Sequence, residues 1–398
     1  MVLIKFDFSL FWFFERFCFI TTFKKMNIAI VCYPTIGGSG IIATELAYGF
    51  AEYGHQIHIV SYSPPFRFNK FNENIFYHNV NPVNYPLFEF PLYTLTLTAK
   101  VAEIVENENI DIIHCHYAIP HSFSGVVAKD IVSDFRDVKV VSTLHGTDVT
   151  LVGTQPTFRK IVSYALNKGD SITCVSEFLY HSTIREFSPS KPIEIIHNFV
   201  DTDEFKRVEN AQLRNRFASE SEKVLIHISN FRPVKKVEDV VYAFSEIKKK
   251  IPSKLILVGD GPEMPKIEMQ IKKLGIFKDV YCLGEQSSIA ELLSIADLFL
   301  LTSEIESFGL AALEALSCGV PVVCYDVGGL KELVLNDVNG YLVEFGNTNL
   351  LAEKALQILK DDSRLMKFRK NAREIVIEKF DKRVIIPRYL NLFKNLLS

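Results

Sequence analysis

Two carboxylates stand eight residues apart in Glu306-Ser307-Phe308-Gly309-Leu310-Ala311-Ala312-Leu313-Glu314. The first falls in a loop after a β-type run, the second well inside an Ala/Leu-rich helical stretch. At about 1.5 Å of rise per residue that spacing covers roughly 12 Å, which approximates the distance between the sugar and ribose hydroxyls of a nucleotide sugar. Between the two acids, the N–H groups of Phe308, Gly309 and Leu310 fall at a helix N-terminus and suit phosphate oxygens. Buried in such an apolar stretch, Glu314 would need hydroxyl or cationic partners. The plainer alternative is an exposed glutamate on an amphipathic helix.

Three further strings could do chemistry. Gly37-Gly38-Ser39-Gly40 follows a β-type run and opens a helix, so its backbone can approach a ligand and offer free N–H groups to an anion. From Gly38 the string also fits the loose GxGxxA dinucleotide pattern, but the next strand ends Val60-Ser61-Tyr62-Ser63-Pro64, with no acid to hold a ribose, which counts against NAD. A purely structural turn is the other reading. Thr143-Leu144-His145-Gly146-Thr147-Asp148 lies at the C-terminal end of a β-type run, where open α/β sheets bind ligands. Ser229-Asn230-Phe231-Arg232-Pro233-Val234-Lys235-Lys236 puts three cations in five residues at a strand–helix turn. They could clamp a diphosphate or form a solvated basic loop. Asp201-Thr202-Asp203 resembles a metal-binding DxD, but its position suits turn and helix-capping chemistry. No string has zinc spacing, and neither GxSxG nor a P-loop occurs.

Elements that position these strings alternate along the chain. Strands are expected at Asn27–Tyr33, Gln56–Tyr62, Ile110–His114, Val138–Leu144 and Ser171–Val175. A second series follows at Val224–Ser229, Lys254–Gly259, Asp279–Leu283, Leu298–Thr302, Val320–Tyr325 and Gly340–Glu344. Helices fill the gaps, and helical stretches run from Leu350 to Leu397. Pro64 to Pro91 lacks periodicity and reads as a long loop. The class is α/β, with two Rossmann-like doubly wound domains facing across a cleft and a hinge near His197 to Asp203.

At 398 residues the chain is long enough for two or three domains, and its 48% hydrophobic and 23% charged content is that of a globular protein. A net charge of −3 gives no overall field for nucleic acid or anionic lipid. Seven cysteines, odd in number and never spaced CxxC, indicate a reducing, cytoplasmic setting without a disulfide framework. Residues 1–25 hold eight phenylalanines and the only tryptophan, Trp12. Asp7, Glu15 and Arg16 interrupt that stretch, which is too short to span a bilayer and poor as a signal peptide. Met26 is therefore expected to be the natural start.

The Glu-x7-Glu string and the hinge string Ile196-His197-Asn198-Phe199-Val200-Asp201-Thr202-Asp203-Glu204-Phe205 closely resemble glycosyltransferase family 4, of GT-B fold. The resemblance runs from Met26 to the C-terminus. It implies an acceptor-binding N-terminal domain over 26–200 and a nucleotide-sugar domain over 201–375. A last helix over 376–398 is expected to pack back on the first domain. Three N-terminal strings, Cys32 to Leu46, His116-Tyr117-Ala118-Ile119-Pro120-His121 and Leu144 to Asp148, resemble one member in particular. That likeness implies transfer of N-acetylglucosamine from UDP-GlcNAc to the hydroxyl of L-malate, the first step of bacillithiol biosynthesis, with retention and with neither metal nor cofactor.

By the same resemblance, Glu314 would bind the ribose hydroxyls and Glu306 the transferred sugar. Arg232 and Lys236 would hold the diphosphate. Ser307, Phe308, Gly309, Leu310 and Gly38 would complete the donor site, and His145 would act near the reacting centre. For the acceptor, Ser39, Gly40, Tyr117 and Thr143 are the candidate donors, and Arg67 and Arg159 the candidate cations. The chain departs from many members at the cation loop, where Asn230-Phe231 stands before Arg232 instead of Gly-Arg. Competing readings are a family 4 transferase with another small or lipid acceptor, a UDP-GlcNAc 2-epimerase, and a non-catalytic sugar-nucleotide-binding protein. A homodimer is compatible with the sequence, while nucleic acid and stable membrane insertion are not expected.

Overall fold

The computed structural model describes residues 24–35, 37–82, 87 and 90–398, so the expectation for the leader falls almost wholly outside the described residues. Two all-parallel sheets carry the chain. The first contains β1 (Asn27–Val31), β2 (Gln56–Ser61), β3 (Ile75–Asn79), β4 (Ile112–His116), β5 (Lys139–Leu144), β6 (Ser171–Cys174) and β7 (Ile193–Ile195), in the order β3-β2-β1-β4-β5-β6-β7. The second contains β8 (Lys223–Ile228), β9 (Ser253–Val258), β10 (Val280–Cys282), β11 (Leu298–Leu301), β12 (Val322–Tyr325) and β13 (Gly340–Val343), in the order β10-β9-β8-β11-β12-β13. Central strands such as Leu298-Phe299-Leu300-Leu301 are buried on both faces, which is why they read as continuous apolar runs.

Each sheet reverses its strand order once, between β1 and β4 in the first and between β8 and β11 in the second. The crevice of a doubly wound sheet opens at the carboxyl ends of such a pair. Tyr33 and the glycine turn follow β1, Tyr117 follows β4, the cation loop follows β8 and Glu306 follows β11. Register decides which side chains arrive there. β4 ends at His116 rather than His114, pairing His116 with Thr143.

The segment Pro64 to Pro91, read as loop, contains β3, which pairs with β2 at the sheet edge from Ile57↔Ile75 to Ser61↔Asn79. Its residues are half-buried or exposed, so the alternation that marks a central strand is absent. The short strand β7 was also not expected; it extends the opposite edge.

Helix α1 (Gly38–Glu52) leaves the first glycine turn, and α2 (Leu310–Ser317) leaves the Glu306 loop. The C-terminal helices α3 (Asp362–Lys379) and α4 (Lys382–Leu397) lie on different domains. Ala372 and Val376 of α3 join the core around Phe299 and Leu316. Ile385, Ile386, Tyr389, Leu390 and Phe393 of α4 pack instead with Ile28, Ile30, Leu46 and Phe50 of the first domain. The approach is close: a Cβ on Gly49 of α1 would sit 2.1 Å from Ile386 Cδ1.

The chain therefore crosses between domains twice. The two crossings are stitched together, Val200 N–H donating to Phe380 O at 3.0 Å and Lys382 N–H to Val200 O at 3.1 Å. Asp201, the first acid of the DxD string, accepts from the N–H groups of Asp203 and Glu204 and pairs with Lys382 at 3.0 Å. Those are the contacts of a turn. No helix among the described residues is long and apolar enough to cross a membrane.

Candidate active site

A cavity of about 460 Å³ lies between the two domains. Gly38 and Arg67 line it from the first domain; Glu306, Gly309, Leu310 and Glu314 line it from the second. Gly309, at φ 97°, caps α2 in the left-handed region that glycine adopts freely. It turns the chain so that the first-turn N–H groups of α2 face the cleft without intrahelical partners.

Glu314 is 3% exposed. Its Oε1 accepts from Arg67 Nη2 at 2.9 Å, an ion pair made across the cleft. Burial raises the carboxyl pKa and the guanidinium opposes that rise. Arg67 stands at φ 68°, an uncommon backbone for a non-glycine residue. Its guanidinium also lies 5.3 Å from the Phe205 ring centroid. Arg67, expected as an acceptor cation, is instead paired with Glu314.

Glu306 accepts at Oε1 from Lys235 Nζ at 2.5 Å and from Ser303 Oγ at 2.7 Å. Lys235, not Lys236, lines the cavity. The expectation for Lys236 is corrected by its backbone, φ 47° and ψ 46°, a conformation that glycine takes most easily. That left-handed residue turns its side chain outward toward Glu304, 3.9 Å away. The signal was present as the adjacent lysine, but φ is not legible in composition. Asn230 also lines the cavity, with its buried Oδ1 unpartnered among the described residues. Arg232 is exposed and makes no ion pair among the described residues. Its charge is the least of the influences on the Tyr117 phenol, opposing the rise caused by burial, and Arg232 does not line the cavity.

In the first domain Ser39 Oγ donates to Tyr117 Oη at 2.9 Å. Burial pushes the Tyr117 phenol up to about 12, so it stays protonated. Gly40 lies beneath them, where an added Cβ would meet Thr35 O at 2.5 Å. His145, 9% exposed, stacks on His116 at 5.0 Å between ring centroids, with His145 Nε2 and His116 Nδ1 2.8 Å apart. His121 Nδ1 lies 2.5 Å from His116 O. Burial lowers His145 to about 3, leaving a neutral imidazole.

Asp148 fixes this loop, accepting from Gly146 N–H and Ala118 N–H, both at 2.9 Å. His116 and Asp148 stood in the quoted strings without a role; their signal was position at strand ends. Gly146, at φ 126°, faces the second domain so closely that a Cβ would lie 1.7 Å from Ser307 Oγ. Ser307 O accepts from Ser176 Oγ at 2.6 Å, and Phe308 is buried against His197 and Phe380. Both therefore join the domains, their side chains away from the cavity.

Two acceptor expectations are corrected outright. Thr143 Oγ1 lies 2.7 Å from both His114 Nε2 and Thr173 Oγ1, fully buried. Strand alternation turns it to the face covered by α4, away from Tyr117. Arg159 is half-exposed on the helix Pro156–Lys168, where it bonds Glu186 O at 2.5 Å, and it does not line the cleft.

The family model described as Glycosyltransferase Family 4 matches residues 36–204, and that described as Glycosyl transferases group 1 matches residues 209–375. The chain is 43% identical over 374 residues to the N-acetyl-alpha-D-glucosaminyl L-malate synthase of Bacillus anthracis, covering 94% of this chain and 98% of that one. The chain belongs to glycosyltransferase family 4. An uncharacterized glycosyltransferase of Methanocaldococcus jannaschii is 28% identical, covering 88% of this chain and 92% of its own. Among solved structures, HepE of Anabaena in complex with UDP-glucose superposes with a TM-score of 0.80 at 23% identity, over 93% of this chain and all of that one. Sucrose-phosphate synthase from Thermosynechococcus elongatus gives 0.79 at 20% identity, over 94% of this chain and 99% of that one. These likenesses establish the fold as GT-B, with the interdomain cavity as its cleft.

Proposed function

We propose that this glycosyltransferase moves N-acetylglucosamine from UDP-GlcNAc to the hydroxyl of L-malate, with retention at the anomeric carbon and without a metal ion. The observation that carries this reading is the 43% identity to the Bacillus anthracis synthase over 98% of that protein's length. The geometry is compatible with it. Glu314 would accept from the ribose hydroxyls and Glu306 from those of the transferred sugar. Lys235 and the α2 N-terminus would face the diphosphate between them.

As the bond from the anomeric carbon to the diphosphate oxygen breaks, negative charge grows on the leaving group. A fixed ammonium and helix-end N–H groups stabilise it without reorganising. The neutral His145 can accept a hydrogen bond from the sugar but carries no positive charge to repel an oxocarbenium-like centre. The malate hydroxyl would attack from the leaving-group side and pass its proton to the departing phosphate oxygen. Ser39, Tyr117 and Arg232 supply two hydroxyls and a cation to a small dianion.

The test is incubation of the purified chain with UDP-GlcNAc and a panel of hydroxy acids, with and without EDTA. UDP release and the anomeric configuration of the product are then measured. Release with L-malate, unchanged by EDTA and giving the α-anomer, is expected. Release only with another acceptor would overturn the substrate assignment.

A further inference from the structure

A second cavity, of about 720 Å³, lies on the C-terminal domain beneath the interdomain linker. Lys206, Arg207 and Arg214 line it from the linker side, and Arg369, Lys370 and Arg373 from α3. Asp297, 5% exposed, neutralises only part of this charge, pairing with Arg214 at 2.8 Å and Arg369 at 2.5 Å; Glu209 also lines the cavity, and Lys370 pairs with Glu374 at 3.8 Å. Lys206, Arg207 and Arg373 have no carboxylate within ion-pair distance among the described residues. The Arg207 guanidinium donates to Ala296 O at 2.9 Å. Arg373 donates to Thr202 O at 2.7 Å and to Phe205 O and Ser317 O at 2.8 Å. Arg369 Nε is buried with no hydrogen-bond partner among the described residues.

Carbonyl contacts orient these guanidinium groups but do not cancel their charge. Burial and the neighbouring Arg369 and Arg214 together lower the Arg207 pKa to about 10. Crowding partly buried cations this way is unfavourable unless an anion joins them. Planar guanidinium forks held in place are suited to phosphoryl oxygens. We propose that this cavity binds a multiply charged phosphoryl anion, at a site separate from the interdomain cleft.

The site is also placed to act on the hinge. Arg373 already grips the linker carbonyls of Thr202 and Phe205. An anion held between Arg207 and Lys370 would tie that linker to α3, whose continuation α4 packs on the first domain.

The experiment titrates the protein with inorganic pyrophosphate at low salt, by calorimetry, in the presence of saturating UDP to fill the cleft. The same titration is run on the Arg207→Gln/Lys370→Gln variant, with succinate as a dicarboxylate control. Wild type is expected to bind pyrophosphate, the variant at least tenfold more weakly, and succinate no better than the variant binds pyrophosphate. The difference between wild type and variant stands whether or not UDP occupies the cleft. Should that variant melt early, Lys206→Gln/Lys370→Gln, on the exposed rim, replaces it. Equal binding by wild type and variant, no binding by wild type, or equal binding of succinate would each overturn the proposal.

Discussion

Arg67 of the first domain and Glu314 of the second form an ion pair at 2.9 Å across the cleft, with side chains 14% and 4% exposed. The pair opposes the rise that burial imposes on the carboxyl pKa, at the position where the proposed function needs an acceptor for two ribose hydroxyls. Burial alone would raise the Glu314 pKa; Arg67 is the first influence that lowers it.

Glu314→Gln is therefore expected to weaken UDP binding by about 10²-fold, the scale of one or two hydrogen bonds to a charged group. Arg67→Ala acts differently. With the cation gone the Glu314 pKa rises further, so the protonated fraction grows as pH falls. Calorimetry of UDP at pH 6, 7 and 8 should show affinity dropping toward pH 6 in Arg67→Ala and nearly level in wild type. A level profile in both would contradict this account.

Lys235 and Lys236 are separated by their backbones. Lys235→Ala removes the cation beside Glu306 and should lower kcat by about 10²-fold, comparable to losing one transition-state donor. Lys236→Gly replaces a residue at φ 47° with one that adopts it freely. Its kcat is expected within threefold of wild type, with no fall in Tm. The reverse order of effects would restore Lys236 as the diphosphate ligand.

In the proposed acceptor site, Tyr117→Phe breaks the 2.9 Å contact from Ser39, and Arg232→Ala removes a cation. Both should raise the malate KM, by about fivefold and about tenfold or more, while the UDP-GlcNAc KM changes less than twofold. Steady-state kinetics with each substrate varied in turn measures this. An increase confined to UDP-GlcNAc in Arg232→Ala would return that residue to the diphosphate.

Seven buried imidazoles among the described residues set the acid limit. Burial lowers His114 and His145 to about 3, His55, His58, His121 and His227 to about 4, and His116 well below the ordinary 6.5. The unfolded chain takes up these protons near pH 6.5, but the folded one does not until near pH 4 or below. Their contribution is complete above pH 6.5 and is lost as pH falls, by up to about 1.4 kcal/mol per unit for each imidazole. Asp148, raised to about 6 by burial, acts in the opposite sense, as do Glu45, Asp239 and Glu314, also raised by burial, but the imidazoles outnumber them. Thermal melts should give a level Tm from pH 8 to 7 and a steep fall below 6.5. A Tm unchanged down to pH 4.5 would refute this.

Both strand series, the two-domain organisation and the Glu306–Glu314 string could be read from the chain because period and spacing are local properties. Central parallel strands announce themselves as apolar runs, whereas β3 and β7, at the sheet edges, bury too little to show one. His145 and Tyr117 could be singled out because strand carboxyl ends are where a doubly wound sheet opens.

What the chain order could not decide was direction. Thr143 and Tyr117 both sit at strand ends, yet alternation sends one toward α4 and leaves the other beside Ser39. Lys235 and Lys236 are neighbours of the same type, and a single left-handed φ separates their roles. Arg67 is 247 residues from Glu314, so their pairing exists only once two sheets face each other. Residue type and local periodicity fixed the elements and the chemistry available to them. The packing of one domain against the other chose which charges meet, because electrostatic partners are set by distance in space and not along the chain.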